Sequence, residues 1–340
     1  MATIKDVARV AGVGLGTASR VLSGRGPVSA AATAKVRKAI EELDFRPSHL
    51  ARSLLSGNSL MIGVYIPVLK GTFYTPILQA IDSVLRASGV HMVVAFGSGN
   101  GDGREQELQG IDFLIQRGAD GLIVMSNSLT AADVTAMGAM QSKLVLLNHV
   151  IPKIKKQCFT VDHHYGGELA ARAFLDYGHK NLAVLSGPST SQDNVDRISG
   201  FFDELKRAGI AKRKVIMVES DYSPEGGWVG AEKLIKKGAS FTGLFCANDE
   251  MAVGALSFFK QENIIVPDQI SVVGYDNTAS AEYSAPRLTS VQIPWGDVTS
   301  NAVHFLLNRC YDSNLPVLKK FPITIQYRAS LIRIEEAAAC

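Results

Sequence analysis

The chain has 340 residues, of which 46% are hydrophobic and 20% charged, a balance that excludes a disordered polymer. The length is too great for one compact core and suits two or three domains. Net charge is only +3, but residues 1–60 carry nine Lys and Arg against four Asp and Glu, while the rest carry 26 against 28. A small basic head on a near-neutral body points to a head that meets a polyanion. No apolar run approaches the roughly 18–20 residues of a membrane helix. The opening MATIKDVARVAG is charged where a secretory leader needs an apolar stretch. The four cysteines (Cys158, Cys246, Cys310, Cys340) have no CxxC spacing, so free thiols in a reducing cytoplasm are expected.

Thr3 and Asp6 form a capping-box pattern, and Ile4, Val7, Ala8 and Ala11 follow at helical spacing. Gly12-Val13 breaks this helix. A second short helix turns Ala18, Val21 and Leu22 inward and Thr17, Ser19 and Arg20 elsewhere. After the loop Ser23–Pro27, Ser29 caps a third helix whose stripe is Val36, Ala39, Ile40 and Leu43. Two short helices across a tight turn, braced by a third, make the helix-turn-helix that fits a DNA major groove. Gly12, Gly14 and Gly16 also imitate a dinucleotide loop, but that motif needs a preceding buried strand, and residues 4–11 are amphipathic. Three helices that merely pack together are the remaining alternative; the outward Thr17 and Arg20 and the local charge favour DNA.

Residues 46–57, RPSHLARSLLSG, contain a stop at Pro47, a cap at Ser48 and an end at Gly57. A helix of two turns is marginal alone and needs a partner to form. Leu50, Leu54 and Leu55 give it an apolar face. Two accounts stand open: a linker that packs on the body, or a hinge that folds on DNA and wedges a leucine into the minor groove.

From residue 60 onward, apolar β-branched strings alternate with amphipathic segments. The expected strands are Leu60–Pro67, His91–Phe96, Gly121–Met125 and Lys143–Asn148. After Phe159–Asp162 the alternation restarts with Asn181–Leu185, Val215–Val218, Gly243–Cys246 and Ser271–Tyr275. Near-continuous apolar strands between helices mean parallel sheets covered on both faces, here in two halves. The chain then returns through Leu288–Ile293, a helix from Trp295 to about Leu307, and a late strand Phe321–Ile325.

Open parallel sheets bind ligands at the carboxyl ends of their strands. The residues there include Phe73, Tyr74, Asn148, Ser191, Asp193, Arg197, Tyr222, Asn248, Asp249, Asp276 and Trp295. Aromatic faces beside Asp, Asn and Arg suit a neutral polyol, stacking on its C–H faces and bonding its hydroxyls. Each has a plainer reading. Arg197 can simply pair along a helix, Asn248-Asp249 can start one, and Tyr222 and Trp295 can be core. Other chemistry is thin. His163-His164 lacks a metal-spaced partner and is placed on a surface or subunit boundary. The run Gly97–Gly103 lacks the Gly-Lys-Ser/Thr ending of a phosphate cradle, and no nucleophile elbow is present.

ATIKDVARVAGV, TASRVLSG and RPSHLARSL, with GLIVMS, CANDEMAVGAL and the stretch Ile270–Asn277, resemble the lactose repressor/galactose repressor family of bacterial transcription regulators over essentially the whole chain, most closely the galactose-type branch. The resemblance implies a periplasmic-binding-protein-like α/β body of two doubly wound lobes crossed by the chain, with an all-α head. Its domains would be a DNA-binding head 1–46, a hinge 47–59, one lobe of 60–162 plus about 291–322, and a second of 163–290 plus about 323–340. It also implies that Leu15 and Gly16 read bases with Arg20 further along, that Thr17 and Ser29 meet the backbone, and that Leu54 pries open the operator centre beside Ala51. Thr3 and Lys5 join them as DNA-facing candidates. Gly16 is a poor helix former, at about 1 kcal/mol relative to Ala, which predicts a weakened recognition helix.

The expected function is a DNA-binding regulator, a repressor by resemblance, that works as a cytoplasmic homodimer on pseudo-palindromic operator DNA under a small effector. The stretches Leu147–Pro152 and Cys158–Gly166 resemble the galactose-type branch, which implies a sugar or glycoside over a purine; whether it releases or promotes DNA binding stays open. No cofactor, metal or membrane partner is expected, and the tail Ile334–Cys340 shows no leucine heptad for a tetramer. The rivals are a sugar-binding transport receptor, disfavoured by the basic head, and a sugar- or nucleotide-processing enzyme, disfavoured by the lack of a catalytic constellation.

Overall fold

A computed structural model describes residues 2–23, 26–45, 58–98, 102–126, 128–238 and 240–334. The expected helix over 48–57, with Ala51 and Leu54, lies outside the described residues, as do 99–101 of the glycine-rich run and the tail with Cys340.

The head holds α1 (Ile4–Ala11), α2 (Leu15–Ser23) and α3 (Ala30–Glu42). Thr3 accepts the Asp6 amide while the Asp6 carboxylate takes the Thr3 N–H at 2.9 Å, completing the capping box. Gly12 ends α1 at φ +63°, a left-handed conformation that glycine adopts without steric penalty. Ser29 caps α3 through the Ala32 amide at 3.2 Å. Val7, Ala8, Ala11, Ala18, Val36 and Ala39 form a buried core whose small side chains let three short helices approach closely. Gly16 sits in the first turn of α2, and the helix forms from Leu15 nonetheless.

The first lobe contains β1 (Met61–Ile66), α4 (Tyr74–Ala87), β2 (His91–Phe96), α5 (Gly103–Gln116), β3 (Gly121–Met125), α6 (Ala131–Ala136), β4 (Leu144–Leu147) and β5 (Cys158–Phe159). The second contains α7 (His163–Asp176), β6 (Leu182–Ser186), α8 (Gln192–Arg207), β7 (Ile216–Glu219), α9 (Pro224–Lys236), β8 (Gly243–Cys246), α10 (Asp249–Gln261), β9 (Ser271–Asp276), α11 (Ala279–Tyr283) and β10 (Thr289–Gln292). Then come α12 (Trp295–Tyr311) and β11 (Thr324–Gln326). The sheets run β2-β1-β3-β4-β5 and β11-β10-β9-β8-β6-β7, parallel throughout except β11 against β10. Every residue of β3, β4, β8 and β9 is buried, as strands covered on both faces require.

Although α12 follows a strand of the second sheet, it packs on α4 and on β3, β4 and β5 of the first. It extends one turn beyond the expected Leu307. The final strand is shorter than expected and starts after Pro322, which has no N–H to give to a ladder. Two glycines set the geometry beneath the site. A Cβ on Gly167 would lie 1.9 Å from the Arg197 carbonyl oxygen, and one on Gly200 would lie 1.8 Å from that of His164. So α7 and α8 meet backbone to backbone, which fixes where His163 and Arg197 stand.

Candidate ligand cavity and DNA-facing surface

A cavity of about 310 Å³ opens between the carboxyl ends of the two sheets. All ten of the residues Phe73, Tyr74, Asn148, Ser191, Asp193, Arg197, Tyr222, Asn248, Asp276 and Trp295 line it. The strand-end rule did not single out Val68, Lys70, Met125, Asp221 or Glu250, which line it too; Asp221 and Glu250 each lie within two residues of a residue the rule did pick. Asn248 also caps α10, accepting the Met251 amide at 3.0 Å, so its plain reading and its cavity position coexist. Asp249 faces elsewhere: it accepts from the Thr278 N–H at 2.6 Å and the Ser290 hydroxyl at 2.6 Å, bracing the loop after β9. Burial, then the charge of Asp276, pushes its carboxyl up to about 7.

Arg197 is the electrostatic centre of the cavity and is 2% exposed. Its guanidinium lies 3.7 Å from the Tyr275 ring centroid, pairs with Asp193 at 3.3 Å and donates to the Ala247 carbonyl. Burial alone would raise the Asp193 carboxyl, but Arg197 and the hydrogen bonds around it hold it below the usual range. Asp276 forms no ion pair among the described residues, although the Trp295 side chain approaches it. Burial pushes it up to about 6, with Arg197 only partly offsetting the desolvation.

His163 corrects the sequence reading. It is 4% exposed, not at a surface, and packs among Asn148, Tyr275 and Trp295 behind the cavity. Asn148 Nδ2 donates to Asp193 at 3.1 Å, which leaves Asn148 Oδ1 to accept from His163 Nε2 at 2.6 Å. His163 Nδ1 therefore accepts from the Tyr275 hydroxyl at 3.0 Å. Burial first, then Arg197, pushes the imidazole down to about 3, so it is neutral at working pH. His164 is the surface member of the pair, 2.9 Å from Asp203. Among the described residues, no group of three His, Cys, Asp or Glu can hold a metal ion. Cys158 and Cys246 are buried free thiols.

Among the described residues, three buried polar atoms of the lining meet no well-aligned hydrogen-bond partner: Arg197 Nε, Tyr222 Oη, which lies near Ser191, and Trp295 Nε1, which lies near Asp276. Such orphans are rare in folded proteins and call for an explanation. Three lining residues also hold left-handed backbone, Asn148 at φ +59°, Tyr222 at +66° and Asp276 at +98°. Strain of this kind gathers at functional sites, where the surroundings over-determine it. The lobes touch at the cavity mouth, where Lys70 approaches Glu225 at 3.5 Å and the Thr72 amide donates to Glu250 at 2.9 Å.

On the head, Thr17, Arg20 and Ser29 converge on one concave surface with Gly14 and Pro27. Leu15 is 45% exposed at the start of α2, an apolar side chain presented to solvent, and Lys5 and Gly16 are exposed as well. The Arg20 Nε donates to the Gly16 carbonyl at 3.2 Å, which lays the side chain along the same face.

A two-lobed body closing on a polar cavity, joined to a basic three-helix head, defines a ligand-responsive DNA-binding regulator. Residues 3–48 match the model for bacterial regulatory proteins of the lacI family, and residues 171–331 that for a periplasmic binding protein-like domain. The transcriptional regulator GalR of Escherichia coli strain K12 is 31% identical over 334 residues, covering 98% of this chain and 95% of GalR. The transcriptional repressor PurR of Vibrio atlanticus is 32% identical over 319 residues, covering 92% of this chain and 93% of PurR. Among solved structures, the lac repressor dimer bound to operator and the anti-inducer ONPF is 27% identical with a TM-score of 0.84, over 97% of this chain and 99% of that one. A LacI-family regulator from Burkholderia phymatum is 47% identical with a TM-score of 0.78, over 80% and 99%. The chain belongs to the lacI family of bacterial regulatory proteins and is a DNA-binding transcriptional regulator. No helix among its described residues is long and apolar enough to cross a membrane.

Proposed function

We propose that this regulator is a homodimeric repressor, working in the cytoplasm, that binds a neutral sugar or glycoside between its lobes and adjusts its grip on a pseudo-palindromic operator accordingly. The observation that carries the ligand reading is the trio of orphaned polar atoms, Arg197 Nε, Tyr222 Oη and Trp295 Nε1, beside aromatic faces at Phe73 and Trp295. Hydroxyls satisfy such donors, and sugar C–H faces stack on such rings. A chain in this family is also solved as a dimer on operator with an anti-inducer bound, which supports the partners. The domains follow the division 1–46, 47–59 and the two lobes interleaved at about 291–322.

Thr3, Lys5, Leu15, Gly16, Thr17, Arg20 and Ser29 are the proposed DNA contacts of the head, and Leu54, beside Ala51, the proposed wedge. Ligand binding shifts the lobe angle by no more than its affinity difference between the two arrangements. A thermal-shift screen of the full chain with sugars, sugar phosphates and purines tests the ligand reading. A ligand at 100 times its Kd adds about 2.7 kcal/mol of stability. Stabilisation by a purine and by no sugar overturns it. For the wedge, Leu54→Ala is expected to weaken operator binding and bending sharply while leaving the dimer intact; normal bending by that variant refutes the wedge.

A further inference from the structure

We propose that Asp120 and Tyr311 are positioning residues that carry the state of the ligand cavity to the point where the linker from the head enters the first lobe. The link is α12. Its first residue, Trp295, lines the cavity and meets Phe73 edge-on at 5.5 Å. Its last, Tyr311, lies about 24 Å further along at 1.5 Å per residue, by the amino ends of the first sheet's strands. Between them Val298, Ala302, Val303, Leu306 and Leu307 are fully buried, so the helix behaves as a packed rod.

At the far end one carboxylate gathers three groups. The Tyr311 hydroxyl donates to Asp120 Oδ2 at 2.7 Å, and the Leu60 N–H donates to that same oxygen at 2.7 Å. Asp120 Oδ1 accepts from the Ser59 N–H at 2.9 Å. Ser59 ends the linker and Leu60 opens the first lobe. Burial and the neighbouring carboxylate push the Tyr311 hydroxyl well above its ordinary range, so it remains a donor.

Two further observations make this junction responsive rather than merely tied. Leu60 is an exposed non-glycine residue at φ +54°, a strained left-handed backbone. Its N–H is held by Asp120, and its carbonyl accepts from the His91 N–H at 2.8 Å. Strain held by a few bonds is released when one of them moves. There is also no slack between α12 and β3: a Cβ on Gly121 would lie 2.7 Å from Cys310 Sγ and 2.9 Å from Leu306. Cys310 Sγ contacts the Asp120 carbonyl oxygen at 3.4 Å. A shift of α12 therefore displaces Asp120, and with it the backbone at Leu60. Helix shifts of about 1–2 Å are an established way for packed proteins to switch.

The role assigned here rests on the regulator reading, but its test needs neither ligand nor operator. Amide hydrogen exchange is followed in the full-length protein for the segment 58–62, in the parent, Trp295→Ala, Tyr311→Phe and the double variant. Each single substitution is expected to speed exchange at Ser59 and Leu60 by about threefold or more, with Leu182–Ser186 of the second sheet unchanged. The double variant is expected to be no faster at the junction than Tyr311→Phe alone, because the path is already cut. If Trp295→Ala does not fold, Trp295→Phe keeps a ring against Phe73 and is expected to give a smaller change in the same direction. Unchanged exchange at the junction in the Trp295 variants, additive effects in the double variant, or equal speeding of Leu182–Ser186 overturns the proposal. Any of these leaves the regulator reading standing; that reading fails separately, on the ligand screen of the parent.

Discussion

The two lobes build their halves of the cavity from different chemistry. The second supplies Arg197 and the carboxylates Asp193, Asp221, Glu250 and Asp276, while the first supplies mainly Val68, Phe73, Tyr74, Met125 and Leu147, with Lys70, Ser126 and Asn148 as its polar members and Trp295 at the head of the helix packed on it. The partners of Arg197, namely Asp193, the Ala247 carbonyl and the Tyr275 ring, all belong to the second lobe. The lobes can thus part without stranding a buried charge, which would cost several kcal/mol. Polar ties across the cleft are modest by comparison: Asn148 to Asp193 and His163, and the partly exposed Thr72–Glu250 and Lys70–Glu225 contacts. One lobe grips by charge, and the other closes by shape and carries the junction to the head.

The largest expected break of this division is Arg197→Ala. It strands the Asp193 carboxylate in a buried site and removes the stack on Tyr275, so a loss of about 3–5 kcal/mol in unfolding free energy is expected, together with loss of ligand binding. Arg197→Lys restores charge without the planar fork and should fall between. Thermal unfolding that matches the parent would place the grip elsewhere.

Asp276→Asn tests the grip with less structural damage. Hydrogen bonds to a charged group are worth about 1.5–3 kcal/mol, so ligand affinity is expected to fall tenfold or more. In the parent, affinity is expected to rise as pH increases through about 6, where Asp276 loses its proton, and the variant should lack that step. Stability runs the other way. Because the folded carboxyl is raised, its contribution is present at low pH and is lost as pH rises through about 6; His163, lowered to about 3, instead loses stability as pH falls below its ordinary 6.5. Unfolding of the parent, Asp276→Asn and His163→Gln at fixed pH between 3 and 7 (the range spanning both titrations) isolates each slope by difference, the slope of Asp249 being common to all three.

Arg20→Ala sharpens the contrast from outside the cavity. The side chain is exposed, so stability and ligand binding are expected to stay at parent values, while specific operator affinity falls by about 1–3 kcal/mol, more than affinity for scrambled DNA. Equal losses on both DNAs, measured by fluorescence anisotropy, mean that Arg20 touches phosphate alone. The smallest effect is expected for Tyr222→Phe. Among the described residues its hydroxyl meets no well-aligned hydrogen-bond partner, so its removal should leave stability within about 0.5 kcal/mol of the parent yet weaken the ligand several-fold. A clear loss of stability would show that the hydroxyl is satisfied within the protein.

Much of the architecture was legible because its signals are local. A capping residue, a glycine stop and a run of β-branched residues act within a few positions, so the head helices and most strands fall close to where their patterns place them. The strand-end rule then reached ten lining residues without any tertiary information. It could not see what side chains do after the chain doubles back. His163 read as a surface residue because its doublet shows no metal spacing, whereas its burial comes from Asn148, Tyr275 and Trp295, residues 15, 112 and 132 positions away along the chain. Asn248 and Asp249 are indistinguishable as a helix start, yet one lines the cavity and the other braces a loop.

The amino-acid sequence by itself determined the order of helices and strands, the basic head and the carboxyl-end positions from which a ligand is met, since each follows from periodicity, capping and charge along the chain. The tertiary structure decided which of those groups are buried, paired or left open. Tyr275 against His163, Ala247 against Arg197, and Tyr311 against Asp120 lie 112, 50 and 191 positions apart. Pairings at such separations depend on how two sheets and a crossing helix pack, and no pattern within a window of neighbouring residues encodes them.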